Sequence, residues 1–196
     1  MDRTLKMALG SLAFNIAFSA YHLAFGLVSG SWWLITLGSY YLILSAVRFV
    51  VLRVRMAESL LIRFTGWMLM ALSLPLVSTV ILSVLHDRGH KIHMIVAIAM
   101  ATYAFSKITL AIIHWTQSQR SHSGKIIPLR NISLADAFVS IFALQRTMLA
   151  SFEGMTETEI GTMNASTGCA VCVIVFLLGL NLVGNKKYDL RDPSPR

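Results

Sequence analysis

The sequence predicts an all-α protein that spans a membrane as a six-helix bundle, and three observations carry that prediction. Of the 196 residues, 56% are hydrophobic and only 13% charged, against about 25% charged in a soluble domain. A chain of this length cannot bury so much apolar surface in a core of its own. Six apolar segments, at 5–29, 32–54, 63–85, 92–115, 132–152 and 163–184, each approach the ~20 residues that a spanning helix needs. Finally, the net charge of +8 is distributed between apolar runs, as beside anionic phospholipid. A nucleic-acid surface would need clustered basic residues on a soluble scaffold, so nucleic acid is excluded as a partner and the lipid bilayer takes its place.

The first segment follows "MDRTLK" and runs from Met7 to about Val28. Secretory h-regions are only about 7–15 residues long, so a retained transmembrane helix is expected rather than a cleaved signal. "SGS" at 29–31 leaves room only for a tight hairpin into the second segment. Trp32 and Trp33 open that segment and Trp115 closes the fourth, the places where interfacial anchors belong. "HDRGHKIH" (86–93) links the third and fourth, and "TQSQRSHSGKIIPLR" (116–130) is the longest polar connection. The organisation expected is one transmembrane domain over 1–185 and a polar cytoplasmic tail over 186–196, "KKYDLRDPSPR", too polar to fold alone.

Orientation follows from the basic residues. One set of helix ends holds Arg3, Lys6, Arg53, Arg55, Arg63, Arg120, Lys125, Arg130, Lys186, Lys187, Arg191 and Arg196, whereas the other holds only Arg88 and Lys91. The positive-inside rule then places both termini in the cytoplasm. Glu153, Glu157 and Glu159 fall in an external loop free of basic residues.

The chain also carries short internal matches. "AFSAYHLA" (17–24) and "AFSKITLA" (104–111) share AFS-x-x-x-LA, Arg48 and Arg146 occupy comparable places, and "TG" recurs at 65–66 and 167–168. Three helices per copy is an odd number, so a second copy would be inverted, as in many transporters whose site lies between the halves. Chance matching in a composition rich in Ala, Leu and Ser is the competing explanation.

"SWWLITLGSYYLILSAVRF" (31–49), "YAFSKITLAI" (103–112) and "RNISLADAFVSIFALQRTMLASFEGM" (130–155) resemble an uncharacterised family of small polytopic membrane proteins of Gram-positive bacteria. The resemblance implies a bacterial plasma-membrane setting. It implies no activity and no functional residues.

"DAFVSIFALQR" (136–146) sets an acid and a base inside an apolar helix. Each costs about 2.5–3.5 kcal/mol at a bilayer centre on insertion scales. Ten residues of helix separate them by roughly 15 Å and about 80° of turn, so they cannot neutralise each other. On the topology above, Asp136 lies at the level of Arg48 and Lys107, in the inner half of the bundle. Ser133, Asp136, Ser140 and Thr147 share one face of the fifth segment, Ser106 and Thr109 flank Lys107, and Asn15 is near the middle of the first. Asp136, Lys107, Arg48, Arg146, Ser140 and Asn15 therefore form the candidate intramembrane polar site. Its three cations against one acid favour an ion or small anion. The alternative is that Arg48 and Lys107 snorkel to phosphates while Asp136 staples helices. For Arg146, nearer the outer side, an external ion pair is expected, with Glu153 or with Glu157 or Glu159 folding back.

His86, Asp87, His90 and His93 could bind a transition metal, but their spacing matches no standard zinc site, and an interfacial polar loop is the expectation. His22 could bond locally or relay protons. "CAVC" (169–172) resembles the thiol pair of quinone-linked oxidoreductases without the second pair such enzymes use as a shuttle, and it reads as packing. No phosphate loop, nucleophile elbow or H-E-x-x-H helix is present, so neither an enzyme nor a cofactor is expected. Two functions remain: a transporter or channel for a small solute or ion, and a non-catalytic membrane scaffold or partner subunit whose internal charges specify helix packing. An oligomer is compatible with either.

Overall fold

A computed structural model of the chain describes residues 3–54, 57–85, 94–120, 126–150 and 155–184. These form six helices, α1 (Arg3–Ser29), α2 (Trp32–Arg53), α3 (Glu58–Leu85), α4 (Met94–Arg120), α5 (Ile126–Leu149) and α6 (Glu157–Gly184), with no strand among the described residues. Five are long and apolar enough to cross a membrane. In α4 (Met94–Arg120) the apolar stretch among the described residues is Ala101–Ile113.

Hydropathy placed the segments and misjudged their ends. Three helices start a full turn or more before their apolar runs: α3 at Glu58, α5 at Ile126 and α6 at Glu157. Backbone hydrogen bonding continues through polar turns that a hydropathy window does not register. Glu157 and Glu159, expected in a loop, occupy the first turn of α6. The Thr156 amide donates to Glu159 Oε2 at 2.9 Å, and the Glu159 amide to Thr156 Oγ1 at 3.3 Å. This reciprocal capping box uses amides that the helix start leaves unpaired, and it sets acidic charge at the positive end of the dipole. The expected tight hairpin forms between α1 and α2: Gly30 takes φ +65°, which only glycine adopts without strain. The Ser31 amide closes the turn onto Gly26 O at 3.0 Å.

The most extensive helix contact is α3 with α6, followed by α1 with α2 and α4 with α5; α2 with α3 and α5 with α6 form a lighter set. Neighbours therefore pair alike in the first three helices and in the last three. The lengths match as well, α1 and α4 having 27 residues each, α3 and α6 having 28. The core runs through α2, α3, α5 and α6, with Leu37, Leu44, Leu69, Leu76, Ile132, Phe142 and Val175 buried. Outer helix faces present Phe14, Phe25, Leu74, Phe105, Ile112 and Leu177, apolar side chains suited to lipid.

The α3–α6 contact depends on glycine. A Cβ on Gly66 would stand 2.8 Å from Gly179 O, and one on Gly179 would stand 2.7 Å from Gly66 O. The two backbones touch, the close approach that small residues permit in membrane helices. Gly168 is filled in the same way by Val80, at 2.5 Å from a built Cβ. Gly66→Leu should lower the thermal midpoint in detergent by an amount corresponding to about 1–3 kcal/mol or more, the cost of overpacking. Gly10→Leu, where a built Cβ meets nothing within 4 Å, should leave the midpoint nearly unchanged; equal effects would show that α3 and α6 do not meet at this point.

Candidate functional site: a buried charged cluster

The site is assembled from four helices, each contributing residues at helical spacing. Asn15, Ser19 and His22 lie on one face of α1, Tyr41, Ser45 and Arg48 on one face of α2, and Tyr103 and Lys107 a turn apart on α4. Ser133, Asp136 and Ser140 line α5, the most enclosed of the four. All of these side chains are buried.

Asp136 is the centre. Its Oδ2 accepts from Lys107 Nζ at 2.5 Å, Asn15 Nδ2 at 2.8 Å and Arg48 Nη2 at 3.2 Å. Three donors from three other helices thus meet on one oxygen, while Oδ1 of the same carboxylate is buried and accepts no hydrogen bond from the described residues. Arg48 Nη2 also reaches Ser133 Oγ at 3.3 Å. Ser140 donates to the Asp136 carbonyl at 2.7 Å and lies 3.0 Å from Tyr41 Oη. Tyr103 donates its hydroxyl to Asn15 Oδ1 at 3.2 Å, so the amide of Asn15 turns its N–H groups to the carboxylate. The three charged groups are exposed by only 1–2%, where direct pairing with excellent geometry is what offsets desolvation. Arg48, Lys107 and Asp136 are the only fully buried charged side chains among the described residues, and formally they sum to +1.

An aromatic layer surrounds the charges. The Tyr103 ring stacks on Phe18 at 3.5 Å and on Phe14 at 5.2 Å, and meets Tyr41 edge-on at 5.9 Å. Lys107 Nζ lies 5.0 Å from the Tyr103 centroid, within cation–π range. His22 makes a local bond, Nδ1 to Phe18 O at 3.0 Å, and stands against Tyr41 at 6.5 Å. Ser19 donates to Gly38 O at 2.7 Å, tying α1 to α2.

The structure thus brings Asp136, Lys107, Arg48, Asn15 and Ser140 to one place. Arg146 is elsewhere: its guanidinium lies 4.0 Å over the Trp33 ring. Of its expected partners, Glu153 lies outside the described residues, as do His86, Asp87, His90 and His93 and the tail from 185. Trp33, expected to anchor at an interface, is instead buried, whereas its neighbour Trp32 is exposed; adjacent positions point about 100° apart, and the inward one found a cation. Ser106 and Thr109 bond their own helix carbonyls and do not join the cluster. Cys169 and Cys172 are free thiols, one exposed and one half-buried. Sequence reasoning missed Tyr41 and Tyr103, although Tyr103 is four residues, one helical turn, before Lys107. Beside the cluster, a groove of about 300 Å³ between α4 and α5 is lined only by apolar side chains such as Ile108, Ala111, Leu134 and Phe138.

Five of the six helices thus define a membrane-spanning type of protein, with a charged centre inside the bundle. No protein-family model matches the chain, and no curated protein matches it.

The pairings fix an expected energetic pattern. Removing one partner of a buried ion pair commonly costs ~3–5 kcal/mol. In double-mutant cycles on thermal stability, Asp136→Asn should couple with both Lys107→Met and Arg48→Met, and be additive within ~0.5 kcal/mol with Arg146→Met. Coupling confined to Arg146 would contradict the arrangement described.

Proposed function

We propose that this chain is a multi-pass protein of a bacterial plasma membrane, non-enzymatic, whose buried charged cluster is the site of a transporter or channel for a small solute or ion. One observation carries the reading: charged side chains from α2, α4 and α5 converge, fully buried, at 2.5–3.2 Å. Ionisable residues inside a membrane are expensive, and where they occur they usually mark solute or proton pathways. The equal lengths of α1 and α4 and of α3 and α6, and the like neighbour pairings within α1–α3 and α4–α6, support two inverted three-helix halves, with the cluster drawing on α1 and α2 from one and on α4 and α5 from the other. Sites at the interface of such halves are the rule in secondary transporters. The distribution of lysine and arginine supports a cytoplasmic position for both termini.

A second reading rests on a different observation. The ions touch one another directly, and the groove beside them is apolar, as in a scaffold or partner subunit whose charges specify helix packing. Under the transport reading the same geometry is a closed state, and the charges must become wet in another.

Two measurements test these readings. In a background lacking Cys169 and Cys172, cysteines placed singly at Ser123 and Thr158 are exposed to an impermeant maleimide on intact cells. Thr158→Cys should label and Ser123→Cys should not; the reverse would invert the topology. Ser140→Cys, a near-isosteric change beside Asp136, should react with a small hydrophilic methanethiosulfonate in proteoliposomes within minutes. Complete protection under conditions where Thr158→Cys reacts would favour the scaffold.

A further inference from the structure

The cluster has the form of an anion site already filled by a side chain of the protein. The groups that meet at Asp136 Oδ2 are all donors, an ammonium, a guanidinium and a carboxamide, and each comes from a different helix. Asn15 is held as a donor because Tyr103 occupies its oxygen. Such a set recognises a carboxylate, and the carboxylate it holds belongs to Asp136. Resting on the reading of this cluster as a solute site, we propose that a small monovalent carboxylate replaces Asp136 on these donors, and that Asp136 takes up one proton as it is displaced.

The proton follows from the cost of burial. If Lys107, Arg48 and Asn15 turned to a ligand, an ionised Asp136 would be left unpaired in a dry interior, and such a group neutralises instead. Its Oδ1, buried and accepting no hydrogen bond from the described residues, is where that proton would sit. The exchange conserves charge. Before it, Lys107, Arg48 and ionised Asp136 sum to +1; after it, Lys107, Arg48, neutral Asp136 and the bound anion again sum to +1. One anion and one proton therefore enter together, with no net charge added to the membrane interior.

The groups facing Asp136 are compatible with this. From α2 come Arg48 and Tyr41, the latter through Ser140, with Tyr40 buried beside Tyr41; from α4 come Lys107 and Tyr103; from α1, Asn15 bonds it directly and His22 stands against Tyr41. Neither α3 nor α6 contributes a buried charged side chain among the described residues. Among the described residues, α1 and α4 do not pack closely along their backbones; Phe14 and Phe18 against Tyr103, with the Asn15–Tyr103 bond, close that seam. Rotating side chains would open it without parting helices.

The test uses the full-length chain in detergent, with thermal midpoints followed against sodium formate at constant ionic strength from pH 5 to 8. Sodium chloride balances the ionic strength. For the wild type we expect a saturable rise whose half-saturating concentration increases about tenfold per pH unit on the alkaline side, the slope of one linked proton. Asp136→Asn, a stand-in for the neutral acid, should bind formate at least tenfold more tightly at pH 7 and without a pH slope. Lys107→Met should abolish the rise. Tyr103→Phe, which releases the oxygen of Asn15, should weaken binding severalfold and keep the slope, so the proposal is testable even if Asp136→Asn does not fold. Formate binding by the wild type without a pH slope would overturn the proton coupling and leave the solute site standing. If chloride competes as well as formate, the carboxylate assignment is wrong. No saturable rise, with Ser140→Cys reactive, overturns this proposal alone; no rise with Ser140→Cys protected overturns the solute site too.

Discussion

The burial of the Asp136 carboxylate constrains the whole arrangement, because an ion in a dry, apolar interior has to be met by partners in fixed geometry. Those partners are Asn15 from α1, Arg48 from α2 and Lys107 from α4. Four helices are consequently locked in rotation and in height. The carboxylate acts as a register pin for α5, the most enclosed of the helices that contribute to it, in the way a buried polar residue sets register in a coiled coil.

Opposite this polar centre stands an apolar seam with a different logic. Helices α3 and α6 contribute no charge to the interior among the described residues. They are held by proximity, Gly66 against Gly179 and Gly168 against Val80. In lipid the hydrophobic effect does not drive helices together, so dispersion between closely fitted backbones takes over that task. The bundle therefore has a tightly packed spine in α3–α6 and, on α1–α4, a seam closed by side chains.

The pairing of two cations with one carboxylate gives the cluster its chemical character. A neutral pair would suffice to staple two helices, and one lysine fewer would have been cheaper to bury. Retaining Lys107 and Arg48 on one carboxylate keeps positive charge inside, and the aromatic rings of Tyr103, Phe18 and Tyr41 shield it from lipid while offering a face to the ammonium.

Much of this was legible in the sequence. Hydropathy delivered six helices, and the alternation of their directions put Asp136 at the level of Arg48 and Lys107, because rise per residue and membrane thickness convert sequence position into depth. What depth cannot supply is rotation. In a soluble helix an apolar stripe identifies the inward face, but here lipid and core are both apolar, and that signal is lost. Hence Trp33 and Trp32 could not be told apart, nor Tyr103 placed on Asn15, nor Ser106 and Thr109 excluded from the cluster. The sequence by itself determined which residues share a level, through the one-dimensional cost of crossing a bilayer. Only the tertiary structure decided which of them face one another, since that choice is made by close packing around glycines and by the need of a buried charge for partners.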